Sequence, residues 1–370
     1  MHGIHLVKVR VHHANWQPVQ HLLTCKSPPV YFLCAIVNCQ LAYQIFNIRS
    51  MFLLCHLKIK LTQDTMSNRI WDKTTKGFLI MEHYLEIQKP ELDYTYQFEL
   101  DQLPQMSACL DAHGFAIIKG VLPDEMIGRL KQAVFDGTDP NRDLKQGQSR
   151  TRHAWIESGE GAWQLLEYEP FMKIHRYLIG TDELTVHRSA AIIRMPGSHP
   201  VAWHTDWCGF STDTPKNSGD VLNRGMWPSG KWFYITGSRP EHGGLCVIAD
   251  SHVENWDGPE GFELTADKRS FYKIGGEEKA YTDFDVPGVV PLFTDPGDMI
   301  VFAHRTYHGA FPNQIDEIRL SCAIGFRSRS HHIDIPWEIP GVGRKFLDDL
   351  PPHLHQYTHG YTSIDTGWRG

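Results

Sequence analysis

The sequence predicts a mainly β protein with flanking helices, and three observations carry that expectation. Beyond residue 184, short β-prone runs recur: LTVHRSAAIIRM, KWFYITG, GLCVIAD, GVVPLFT, DMIVFAH and RLSCAIGFRS, each bounded by Gly, Pro, Asp or Ser. Short strands with turn signals between them read as an all-β sandwich or barrel. Two stretches before residue 180 instead carry apolar residues at helical spacing. Finally, 370 residues with 41% hydrophobic and 21% charged content describe a globular chain able to bury one large core or two smaller ones.

The first 65 residues stand apart. Lys8, Arg10, Lys26, Arg49, Lys58 and Lys60 far outnumber the acid Asp64, and PPVYFLCAIVNCQLAYQIF is apolar without a helical or strand period. Asn38, Gln40 and Gln44 interrupt that run, so it makes a weak membrane span, and no secretory cleavage pattern comes after it. The expectation is an extension without a folded role, with Met66 the true or an alternative start.

From Met66 the composition is domain-like. Phe115 to Lys119 reads as a short strand, and Pro123 then suits a helix start, with Asp124 in the first turn where an acid complements the dipole. Met126, Ile127, Leu130 and Val134 continue that helix at the right spacing. A second helical stretch is expected around Gly161 to Leu178, carrying Trp163, Leu166, Phe171, Ile174 and Leu178.

The formal net charge of −7 and the lack of a long basic block argue against a surface built to neutralise nucleic-acid phosphates or anionic lipid. A small-molecule partner fits better, and nothing in the chain sets an oligomeric state. Cys25, Cys34, Cys39 and Cys55 crowd the leader, while Cys109, Cys208, Cys246 and Cys322 are scattered with neither metal-ligand spacing nor a disulfide framework. Reduced, packed thiols are the expected state.

The stretch VAWHTDWCGF places His204 and Asp206 two residues apart, and in a strand positions i and i+2 share one face. A chain with 22 His contains His-x-Asp by chance about once, and His332 with Asp334 forms a second copy. The downstream residues separate the two copies. After the first come GGLCVIADSH and then DPGDMIVFAHRTYHGAFPNQIDEIRLS, which supplies His308 before Gly309, then Asn313, then Arg319 with Ser321 two residues on. After the second copy there is only a short tail. Two His and one carboxylate with open positions form the set suited to non-haem Fe(II) oxygenases, and an Arg fork can grip a carboxylate bidentately with a hydroxyl adding a hydrogen bond.

In these motifs, from about residue 105 to 330, the chain resembles the phytanoyl-CoA dioxygenase family of Fe(II)/2-oxoglutarate-dependent oxygenases. The resemblance implies a double-stranded β-helix, a jelly roll of the cupin kind, with helices packed outside. It implies His204, Asp206 and His308 as Fe(II) ligands and Arg319 with Ser321 as the clamp for the distal carboxylate of 2-oxoglutarate. It also implies a reaction in which O₂ and 2-oxoglutarate are consumed, succinate and CO₂ are released, and the substrate is oxidised. The carboxylate of Asp206 favours hydroxylation, desaturation or another oxidative rearrangement over halogenation, because related halogenases carry a small residue there. The implied organisation is a leader (1–65), an N-terminal segment (66–104), the dioxygenase domain (105–335) and a C-terminal tail packing on the core (336–370).

Other residues are weighed against blander roles. His304, four before His308, could compete as a ligand but reads as a supporting or packed side chain, and His252 reads as part of a turn. Arg194, just before MPGSHP, is a candidate cosubstrate contact, with a solvated arginine as the alternative. Of Trp203, Trp207, Phe210 and Trp232, the expected pocket wall is Trp207 and Phe210, although large aromatics in strands are more often core. Ser211 to Gly230, rich in Gly, Ser, Asn and Pro, reads as a lid or specificity loop. The leading expectation is therefore a cytoplasmic hydroxylase of a small organic molecule. A non-catalytic metal-binding jelly roll and a membrane-tethered interaction protein are the competing classes. The ending GWRG is not a peroxisomal tripeptide, and Pro18 spoils the likeness of RVHHANWQP to the other peroxisomal signal.

Overall fold

A computed structural model of the chain describes residues 87–206, 230–253, 255–332, 335 and 337–367, all within the unit Asp72–Gly370. The leader, Trp207, Phe210, residues 211–229 and Asp334 lie outside the described residues.

The chain enters through β1 (Gln97–Phe98), α1 (Leu103–His113), β2 (Phe115–Ile118) and α2 (Asp124–Thr138). Gly114 adopts φ 79° and its N–H reaches the Leu110 carbonyl, a left-handed cap that turns the chain into β2. Pro123 precedes α2, Asp124 and Glu125 occupy its first turn, and Met126, Ile127, Leu130 and Val134 are buried. After β3 (Ser149–His153), the stretch expected as a single helix is two: α3 (Glu160–Glu167) and α4 (Glu169–Ile179). The break has a local cause. Tyr168 is extended (ψ 102°) between them, and Pro170, with no N–H to donate to the Leu166 carbonyl, suits only the first turn of a new helix.

The β-prone runs all form strands: β4 (Leu184–Arg194), β6 (Gly230–Tyr234), β7 (Leu245–Ile248), β10 (Val289–Pro291), β11 (Met299–Phe302) and β13 (Arg319–Ser328). Between them lie β5 (Val201–His204), β8 (Phe262–Leu264), β9 (Phe271–Lys273) and β12 (His308–Ala310). The tail adds α5 (Gly341–Asp349) and α6 (Ile364–Gly367).

Two sheets face each other. The seven-stranded sheet runs β1-β2-β11-β6-β13-β4-β3, the four-stranded one runs β10-β7-β12-β5, and β8 and β9 form a separate hairpin. β4 to β7 alternate between the two sheets, β10 pairs with β7 in the four-stranded one, and β11 to β13 alternate again, which is the interleaved order of a double-stranded β-helix. Along β4 and β13 one face, with Ala191, Ile193, Cys322 and Ile324, is buried in the larger core. The other face, with Arg194, Arg319 and Ser321, looks toward the smaller sheet. The outer side of the small sheet carries a second core of Trp203, Cys246, Ile248 and Phe311, covered by Phe262 and Phe271 of the β8–β9 hairpin. The tail closes on the first core through Phe346, Leu350, Leu354 and Tyr361. There the buried Glu157 carboxylate accepts hydrogen bonds from Tyr361 Oη (2.7 Å) and the Ser363 hydroxyl. Among the described residues no helix is long and apolar enough to cross a membrane.

Candidate active site

His204 ends β5 and His308 begins β12, and antiparallel pairing sets them directly opposite each other. Their ring centroids are 4.2 Å apart. Each ring is tied at Nδ1 to a carbonyl two residues back: His204 to Ala202 O (2.8 Å) and His308 to Thr306 O (3.0 Å). Holding the proton at Nδ1 leaves Nε2 as the lone-pair donor, the tautomer that a metal-ligating histidine needs. The turn that delivers His308 is itself pinned, since Ala303 N–H (2.8 Å) and the Thr306 hydroxyl (2.7 Å) both donate to the Gly114 carbonyl.

Asp206 does not share the strand face with His204, as strand alternation suggested; it lies in a bend two residues beyond the end of β5. Its carboxylate nevertheless joins the two rings, with one ligand atom from each of His204, Asp206 and His308 within 4.8 Å of the others. Burial opposes ionisation of Asp206, but His308, His204, His304 and Arg188 outweigh it and hold the carboxyl below its usual range. Burial, reinforced by His204, pulls His308 down to about 4, so the ring is neutral at physiological pH and keeps a lone pair for a metal. The donor set and its protonation state match one divalent ion of the borderline kind.

On the facing sheet, β13 and β4 place Arg319 opposite Arg194, and Ser321 stands opposite Tyr234 of β6. Arg319 and Arg194 are each about 1% exposed and Ser321 is fully buried. Arg194 is anchored by Ser198 Oγ (3.3 Å) and the His199 carbonyl, and Arg319 lies 4.8 Å over the Tyr234 ring. Yet Arg319 Nε and Nη1, Arg194 Nη1 and Ser321 Oγ have no hydrogen-bond partner within the protein. Burial, then the neighbouring Arg319, lowers Arg194 to about 9. Two desolvated guanidiniums side by side with unmet donors are costly unless an anion sits between them. A carboxylate supplies the acceptors this pocket lacks, which is the fit required of a 2-oxoglutarate site.

The other residues weighed from the sequence take blander places. His304 is not in the three-residue cluster; its carbonyl accepts the Thr205 hydroxyl (3.0 Å), and burial pulls its ring down to about 4. His252 reaches the Asp111 carbonyl (3.0 Å) in the turn after β7. Trp203 is fully buried in the second core, its indole N–H on the Asp283 carbonyl (2.9 Å). Tyr234 and Arg188 join the site without having been singled out. Tyr234 sat in view within KWFYITG, but only strand pairing reveals that it meets Arg319. An open cavity of about 700 Å³ lies along the edge strand β5 and reaches His204, with Trp203, Thr265, Arg269 and Ser270 also on its wall.

Residues 110–321 match the family described as Phytanoyl-CoA dioxygenase (PhyH), which is more than half of the chain. The chain belongs to the phytanoyl-CoA dioxygenase family. With it the chain joins the Fe(II)/2-oxoglutarate-dependent oxygenases, and its jelly roll is the fold expected of that family. Among solved structures the chain is similar to the epimerase SnoN in complex with Fe3+, alpha ketoglutarate and nogalamycin RO. That likeness has 19% identity over 68% of this chain and 91% of SnoN, with a TM-score of 0.45. It is similar too to the carbocyclase SnoK from nogalamycin biosynthesis (19%, 62% and 86%, TM-score 0.46). EctD from S. alaskensis in its apoform is a third (16%, 68% and 84%, TM-score 0.45). The curated proteins contain no match.

Proposed function

We propose that this phytanoyl-CoA dioxygenase family member hydroxylates a small organic metabolite in the cytoplasm, with 2-oxoglutarate and O₂ as cosubstrates and succinate and CO₂ as coproducts. His204 and His308, through Nε2, and Asp206 hold Fe(II). Arg319 and Ser321 grip the distal carboxylate of 2-oxoglutarate, with Arg194 beside them. The observation that carries the reading is the pair of buried guanidiniums with unmet donors, next to a buried serine hydroxyl, on the sheet facing the His-Asp-His cluster. A jelly roll that only stored a metal would have no use for such a pocket.

Iron, when bound, supplies the redox chemistry that couples oxidative decarboxylation of 2-oxoglutarate to oxidation of the substrate. The protein's part is positional. The two Nδ1 bonds fix the imidazoles, and the ionised Asp206 offsets part of the metal's charge. Arg319 and Ser321 would hold the cosubstrate by its far carboxylate and so restrict its orientation in the pocket. Phe302, its ring 4.6 Å from that of His308, packs an apolar wall against the ligand and excludes water from that side.

The test is anaerobic addition of Fe(II) and then 2-oxoglutarate to the purified protein, monitored for the weak visible charge-transfer band of chelated 2-oxoglutarate, with His204→Ala as control. A band that vanishes in the control supports the assignment. Iron retained without a band would transfer the reading to a non-catalytic metal-binding jelly roll.

A further inference from the structure

The three candidate ligands are not equally sheltered. His308 is buried, whereas His204 and Asp206 are half-buried, so the open flank of the cluster lies on the β5 side. β5 is an edge strand of the four-stranded sheet, and the cavity of about 700 Å³ runs along that edge. Val201 and Trp203 on one face of the strand border it, and so do Ala202 and His204 on the other. The cavity therefore wraps round the strand edge, from the side of the second core onto the face that carries a metal ligand.

Its opposite wall comes from the turn between β8 and β9 and from the segment after β9. That wall is pinned to β5. Thr205 N–H donates to the Arg269 carbonyl (2.9 Å), Trp203 N–H to the Tyr281 carbonyl (2.9 Å), and the Ser270 hydroxyl to the Trp203 carbonyl (2.5 Å). These bonds lie on both sides of His204, so the wall is set before any ligand arrives. They also order its chemistry along the strand. The Tyr281 bond brings Ala280 to the stretch that carries Val201 and Ala202, where Val201 is 39% exposed, and this end is apolar. The Arg269 bond brings the exposed Arg269 and Asp267 to Thr205, two residues or about 7 Å further along, and that end is polar. His204 stands between the two ends. A concave, largely apolar space of this volume with a few polar groups at one end is what a small-molecule site requires.

Resting on the oxygenase reading of the same cluster, we propose that the substrate reaches the metal along the β5 edge, in this cavity, and that Val201 and Ala280 set what fits there. The substrate class is a small amphiphilic molecule. Its apolar part lies on Val201, Ala202 and Ala280, and its polar end faces Asp267 and Arg269.

Proton NMR of 1-hexanol tests this, with glycerol as a probe that has no apolar part. The full chain is loaded anaerobically with Fe(II) and 2-oxoglutarate, so that the paramagnetic metal broadens the lines of any molecule bound near it. Protein loaded with Zn(II) supplies the diamagnetic baseline. Hexanol lines should broaden beyond that baseline, and glycerol lines should stay on it. Ala280→Trp and Val201→Trp, both at exposed positions where a large ring enters the cavity and not the core, should each return hexanol to the baseline. The charge-transfer band of bound 2-oxoglutarate should persist in both. Hexanol on the baseline in the wild type, glycerol broadened as much as hexanol, or hexanol broadening that survives either substitution overturns the proposal. So does loss of the band in both variants, which would place these side chains at the cosubstrate site. The band keeps the two claims separable. Hexanol broadening that Ala280→Trp removes, without any band in the wild type, would sink the oxygenase reading and leave the cavity standing; a band with hexanol on the baseline does the reverse.

Discussion

His204 and His308 face each other across an antiparallel strand pair, with ring centroids 4.2 Å apart and both Nδ1 atoms committed to backbone carbonyls. Neither ring can turn to offer its other nitrogen without breaking a hydrogen bond to the backbone two residues before it. The backbone has thus fixed which atoms meet a metal before any metal arrives.

Removing one of these rings should therefore remove the site and spare the fold. In His308→Ala the iron affinity is expected to fall by well over the ~10–100-fold that loss of a merely supporting partner costs. Iron per chain after gel filtration, with circular dichroism as the folding control, checks it. Retention of stoichiometric iron by His308→Ala would return His304 to contention.

Arg319→Ala separates metal from cosubstrate. The guanidinium is about 1% exposed and faces Ser321 and Arg194 rather than the rings, so iron binding should be unchanged. The 2-oxoglutarate carboxylate would lose a desolvated charge partner worth about 2–5 kcal/mol, a weakening of at least about 30-fold. Titration of the charge-transfer band reads this directly; an unaltered midpoint would mean that another arginine is the clamp.

The metal-binding candidates were legible because their signal is local: two residues in HTD, one before Gly309, and an Arg–Ser pair at strand spacing. The strands were legible for the same reason, each short run being bracketed by turn residues. What escaped depends on pairing between distant segments. Nothing in KWFYITG shows that Tyr234 meets Arg319, and nothing near Arg188 shows that Gly325 stands opposite it and Asp365 beside it. The hairpin of β8 and β9 was missed because each strand has only three residues. By contrast, the break between α3 and α4 was readable from Pro170, and amphipathic spacing across it hid the signal.

Histidine burial predicts an acid limit to stability. His175 is fully buried between Phe171 and Phe326, neither ring nitrogen has a hydrogen-bond partner, and burial, reinforced by Lys231 and Arg176, holds its pKa well below the usual value. The unfolded chain takes up this proton near pH ~6.5 while the folded chain does not. The associated stability is present above that pH and is lost as pH falls below it. His175→Met should gain about 1–3 kcal/mol at neutral pH by removing an unsatisfied buried polar group, and its advantage should widen at pH 5. Urea unfolding at pH 5 and pH 8 measures both; an advantage that does not grow at pH 5 would show that His175 protonates in the folded state.

Gly309 offers a test of position without changing any ligand. A Cβ at this site would lie 3.1 Å from the Val201 carbonyl, 3.4 Å from the Phe284 ring and 3.5 Å from Trp203. The first contact is with backbone of β5, the strand that carries His204, so β12 can make room only by moving away from its partner. Gly309→Ala should cost about 1–3 kcal/mol of stability through overpacking. It should also separate the two imidazoles enough to weaken iron binding, although both remain chemically intact. The expected pattern is a folded protein with all three candidate ligands present and iron affinity reduced by about 10-fold or more. If Gly309→Ala loses stability and keeps wild-type iron affinity, the close strand approach serves packing against Trp203 and Phe284, and the spacing of His204 and His308 is set elsewhere, most directly by the Gly114 carbonyl that anchors the Ala303–Thr306 turn.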